Sequence, residues 1–230
     1  MGAQFTVILL AELLILFLFS RAVTGSLAGM IHLFTRSRKL SISLLVILFL
    51  PGTIIHELAH LLSAGMMMVP VGEIEILPKI ENDSVHLGSV EVAQTDIFRR
   101  AIIGLAPLFF GTGVILSLFW IAFGLFSLPL LSWWSAVLMY LVFAISNTMF
   151  SSRKDMEGIA VFLSLLFFLI LAVAGAFYIS GFSPAFLLEM LNASKTVSFF
   201  YKADLFLAIP IMVDLGLWGI AKIILGLKSA

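Results

Sequence analysis

Long apolar runs alternate with short polar stretches along nearly the whole chain, and this spacing predicts six membrane-spanning helices. They fall at about 4–23, 40–68, 101–125, 130–150, 157–180 and 203–226. Most are close to the roughly 20 residues that cross a hydrocarbon core. The connections predicted between them include 24–39, 69–100, 151–156 and 181–202. Within the second span, Pro51-Gly52 predicts a break, because proline lacks the N–H that would continue the helical ladder. The 69–100 connection changes period: Gly72 to Pro78 and Val85 to Val92 alternate polar and apolar, with a slip at Gly88. Glu81-Asn82-Asp83-Ser84 between them is turn chemistry. A β-hairpin over 71–93, bulged at Gly88, is therefore expected. The predicted fold class is an all-α polytopic membrane protein of about six transmembrane helices, forming one integral membrane domain over 1–230 with this small β-hairpin inserted.

Composition strengthens that picture. Hydrophobic residues make up 62% of the 230, charged residues 11%, and the mean hydropathy is +1.19, far more apolar than a soluble domain. The formal net charge is zero, so no nucleic-acid partner is expected. There is no cysteine, which excludes disulfides, thiolate metal sites and cysteine nucleophiles. The first apolar run has no basic residue before it and no cleavage pattern before Arg21, so it reads as a retained helix. Lysines and arginines divide seven against six between the two predicted sides, so charge leaves the orientation open. The expected location is a multi-pass protein of the plasma membrane.

The chemistry lies in His56-Glu57-Leu58-Ala59-His60, inside the second span. Positions i and i+4 share a helix face, so His56 and His60 can present two imidazole nitrogens to one metal ion. Glu57 sits one step round, where its carboxylate can reach a water at that metal as general base. Ionisable groups within a membrane helix cost roughly 2.5–3.5 kcal/mol each for a central charged residue, which makes them functional by default.

A catalytic zinc site normally takes a third protein ligand. The metzincin spacing fails, since Ser63 and Met66 stand where glycine and histidine would be required. Glu73, Glu75 and Glu81 fall in the predicted hairpin rather than on a following helix. Four histidines, His32, His56, His60 and His86, are too few for a histidine-rich two-metal site. Asp155, in the run from Ser146 to Gly158, remains the strong candidate.

Here the chain resembles the site-2 protease family of intramembrane zinc metalloproteases. The resemblance rests on His56-Glu57-x-x-His60, on the eight-residue spacing of Asn147 and Asp155, and on Gly104-Leu-Ala-Pro107 as a variant of the middle-helix element. The order of elements over 40–165 also corresponds, and this stretch would be a three-helix catalytic core. Phe150 and Arg153 replace two family prolines, and glycine follows Asp155 only at Gly158, which leaves Glu157 a competing ligand. The resemblance implies that Asp155 is the third zinc ligand, that Asn147 holds substrate backbone, and that one Zn2+ is bound per chain. Asn147 as a helix-end cap and Asp155 as an N-cap are the alternative assignments. His86 is expected to be exposed in the hairpin, with a ligand role secondary. Glu12 in the first span and Asp214 in the last would pair within the bundle or act behind the metal.

These residues predict a zinc endopeptidase that hydrolyses peptide bonds in or near transmembrane segments of membrane-protein substrates within the lipid bilayer. Glu57 would move the proton, while the hairpin, through Ile74 and Val90, would hold unwound substrate by strand addition. A non-proteolytic membrane scaffold or chaperone and a metal transporter are the other classes that the residues allow. The sequence names neither the substrate nor a regulatory partner.

Overall fold

The computed structural model describes residues 2–75, 79–81, 84–86, 89–126, 129, 132–150, 159–180, 189 and 192–226. Helices dominate: α1 (Gly2–Thr35), α2 (Arg38–Met66), α3 (Ile97–Phe119), α4 (Trp133–Thr148), α5 (Ile159–Ser180) and α6 (Ser194–Gly226). Four stretches among the described residues are long and apolar enough to cross a membrane: Gln4–Thr35, Arg38–Met66, Ile97–Phe123 and Thr196–Gly226. The 16-residue α4 and the stretch Ser164–Ser180 of α5 are shorter apolar helices. The protein is therefore a helical membrane protein. Large apolar side chains such as Leu165, Phe168 and Ile170 stand exposed on α5, as lipid-facing residues do.

Several sequence-based boundaries shift. The predicted connection 24–39 is mostly helix, since α1 runs on to Thr35. Its polar residues are absorbed by the helix itself: the Thr24 hydroxyl donates to the Ser20 carbonyl and Thr35 to that of Ile31. Only Arg36, at φ 50°, and Ser37 turn the chain, and the Ser37 hydroxyl caps α2 by accepting from the Leu40 N–H. The last helix likewise begins at Ser194 rather than near 203. The break predicted at Pro51-Gly52 does not form, and α2 passes through as one helix. Beside it, the Tyr140 hydroxyl of α4 donates to the Leu48 carbonyl, three residues before Pro51, at 3.1 Å.

After α2 the chain forms β1 (Val71–Glu75), β2 (Lys79–Glu81), β3 (Ser84–His86) and β4 (Ser89–Val92). β1 pairs antiparallel with β4, placing Ile74 opposite Val90, and β2 pairs antiparallel with β3. The register is irregular between Val71 and Ile74, whereas Gly88, where the bulge was expected, lies outside the described residues. The Ala93 N–H donates to the Pro70 carbonyl and closes the base of this unit. That base packs on the bundle through Val69 and Val71, which join Ala64 of α2 and Ile103 of α3.

The main core lies among α1, α3, α4 and α6, where Leu16, Ile115, Phe119, Ile145 and Leu207 are fully or almost fully enclosed. A second cluster of Val23, Leu27, Phe49 and Phe143 joins α1, α2 and α4. The first and last helices run parallel: Phe5 meets Tyr201, Phe19 meets Trp218, and Gly29 lies against Leu225. Six strictly alternating crossings would make these two helices antiparallel.

Candidate metal centre

His56 and His60 stand one turn apart on α2, with Glu57 and His60 buried. Each imidazole is gripped from a different neighbouring helix. His56 Nδ1 donates to the Thr148 carbonyl of α4 at 2.7 Å, and His60 Nδ1 donates to the Ile103 carbonyl of α3 at 2.9 Å. A carbonyl oxygen only accepts, so each Nδ1 carries a proton, which leaves Nε2 as the ring atom able to face a metal ion. The two Nε2 atoms converge to 3.1 Å. Two ring nitrogens this close are held together by one proton shared between them or by one cation bound to both. Two nitrogens bound tetrahedrally to one zinc lie about 3.3 Å apart, given Zn–N of 2.0–2.1 Å. The donor set and its spacing therefore fit such an ion.

Both carbonyls are available for a reason visible in the chain. Ile103 is four residues before Pro107, which has no N–H to return to it. Thr148 is the last residue of α4, where terminal carbonyls have no intrahelical donor. The Gly-Leu-Ala-Pro element thus acquires a physical role at the site. Gly52 brings α2 and α4 together one turn before His56: a Cβ there would strike the Ala144 carbonyl oxygen and the Thr148 hydroxyl.

Asn147 is buried near the end of α4. Its Nδ2 donates to the Phe143 carbonyl at 3.0 Å and to Asp214 Oδ1 of α6 at 2.8 Å, which uses both hydrogens. Both partners are acceptors, so the orientation of the amide is forced. Asn147 Oδ1 is buried and has no hydrogen-bond partner among the described residues. With both amide hydrogens so used, Asn147 Oδ1 is the atom of this side chain left to accept.

Among the described residues no group of three His, Cys, Asp or Glu side chains gathers at a metal-binding point. Asp155 and Glu157 lie outside the described residues, so the third-ligand assignment is carried by the sequence. His86 ends β3, and Ile74 and Val90 face each other across β1 and β4, their side chains again outside the description. Sequence reasoning missed Thr148, Ile103, Gly52 and the Asp214 partner of Asn147. Pro107 and Gly52 were the signals that could have found part of this, since one frees a carbonyl and the other permits backbone contact. No protein-family model, curated protein or solved structure matches the chain, so the paired histidines and their carbonyl partners are the ground for a functional reading.

Proposed function

We propose that the chain is an intramembrane zinc metalloendopeptidase, similar in plan to the site-2 protease family, that cleaves peptide bonds in or near transmembrane segments of other membrane proteins. The observation that carries this reading is the convergence of His56 Nε2 and His60 Nε2 at 3.1 Å, with both Nδ1 atoms held on backbone carbonyls. Metal-ligating histidines are usually oriented by this kind of outer hydrogen bond. Asp155 would supply the third protein ligand. Zinc, when bound, supplies Lewis acidity toward the scissile carbonyl and a water of lowered pKa.

The chain's own residues do the rest. The Thr148 and Ile103 carbonyls fix both rings, so the two Nε2 atoms face one point without reorganisation. Glu57, buried beside them, takes the proton from the attacking water and delivers it to the leaving amine. Substrate must arrive unwound, because a helix hides its carbonyls in intrahelical bonds. The β1–β4 ladder is rooted at Val69 and Val71, against the same Ile103 whose carbonyl holds His60. An extended substrate added along a strand edge there is therefore close to the histidines.

The test is zinc content and cleavage in the purified full-length protein reconstituted in lipid. The wild type should hold one zinc per chain and cut a single-span membrane substrate. Glu57→Gln should keep the zinc and lose cleavage, while His56→Ala should lose both. Zinc flux across the vesicle without cleavage would identify a transporter instead, and intact substrate in complex with wild-type protein would identify a scaffold.

A further inference from the structure

Asp214 is an acidic residue enclosed within a membrane-spanning helix, with 0% of its surface exposed. Such a residue is costly in that setting and calls for a role. Its Oδ1 accepts from Asn147 Nδ2 at 2.8 Å, and the same amide nitrogen donates back to the Phe143 carbonyl at 3.0 Å. One side chain of α6 therefore clamps the last turn of α4. The residue after Asn147 is Thr148, whose carbonyl fixes the His56 ring. That turn has no onward helix to hold it, since α4 ends at Thr148.

We infer that Asp214 is a positioning residue of the metal centre: through Asn147 it holds the final turn of α4 so that the Thr148 carbonyl keeps His56 with Nε2 turned toward the metal. This rests on the metalloenzyme reading above. The inference needs Asp214 as a hydrogen-bond acceptor, not as a charge. Glu57, His60 and the α3 contact of His60 do not depend on it, so the damage from its loss is confined to the His56 half of the site.

The experiment uses the full-length protein in detergent, with zinc affinity read by competition with a chromophoric chelator and ligand geometry read from the visible spectrum after cobalt(II) substitution. Asp214→Leu should weaken zinc about 10-fold and alter the cobalt spectrum, as loss of an outer-sphere contact does. Asn147→Leu, which also removes the bond to the Phe143 carbonyl, should do at least as much, and the double variant should be no worse than Asn147→Leu alone, because the Asn147–Asp214 bond is already lost there. Asp214→Asn retains an acceptor oxygen and should restore wild-type affinity and spectrum. Leu207→Ala, which opens the α6 core without touching a polar contact, should leave both unchanged. Wild-type binding in Asp214→Leu would overturn the inference alone, as would an equal loss in Leu207→Ala or no rescue by Asp214→Asn. A wild-type protein that binds neither zinc nor cobalt would overturn the metalloenzyme reading, and this inference with it.

Discussion

Gly52→Ala adds a single methyl group at the α2–α4 crossing and should weaken metal binding at the proposed centre without touching a proposed ligand. The new Cβ would lie 2.6 Å from the Ala144 carbonyl carbon, whereas ordinary contact begins at 3.4 Å. That contact alone requires the helices to part by about 0.8 Å, and the nearer Ala144 oxygen requires more; the obstacle is backbone, which cannot rotate aside. Gly52 and His56 share a face of α2 one turn apart. The same displacement applied to the 2.7 Å bond from His56 to the Thr148 carbonyl stretches it to about 3.5 Å or more, beyond useful hydrogen-bond range. Loss of such an outer contact weakens metal binding about 10–100-fold. Overpacking should also destabilise the fold by about 1–3 kcal/mol, less the ~1 kcal/mol that alanine gains over glycine in a helix interior. The assay is chelator competition for zinc, paired with thermal unfolding in the same detergent. A Gly52→Ala protein that is more stable than wild type and binds zinc equally well would refute the close-packed crossing and its coupling to His56.

Three further expectations follow from the same structure. Pro107→Ala restores an N–H aimed at the Ile103 carbonyl, in competition with His60; zinc affinity should fall several-fold, toward the ~10-fold of an outer contact, while hydrogen-exchange protection of α3 rises, and unchanged affinity would remove the proline from the site's design. Asp96 caps α3 by accepting from the Arg99 N–H at 3.0 Å, and this bond holds its carboxyl below the usual aspartate range. Because the folded value is depressed, the cap's contribution should be full above the ordinary value of about 3.9 and fade as pH falls through the folded value; amide exchange in the first turn of α3 should show that fall in wild type but not in Asp96→Ala. Because α1 and α6 run parallel, single cysteines at Gln4 and Gly226, clean probes in a chain without native cysteine, should be labelled from opposite faces of the membrane, and labelling from one face would contradict the parallel packing.

Apolar run lengths determined by themselves that this is a helical membrane protein, because a bilayer leaves the backbone no alternative to internal hydrogen bonding. The His56-Glu57-x-x-His60 spacing likewise placed two imidazoles on one face, since helical geometry is local. Helix ends were less legible: Thr24 and Thr35 look like connection residues until their hydroxyls bond back to the preceding turn, and Pro51 looks like a break until α4 packs beside it. Partnership between distant helices was not legible at all. Every residue has a carbonyl, so nothing marks Thr148 as the partner of His56, 92 positions away. Asp214 and Asn147 are 67 positions apart, and either alone reads as an isolated polar residue in an apolar run. Only the packing of α2 between α3 and α4, and of α6 against the end of α4, decided which nitrogen of each histidine carries its proton and where the other one points.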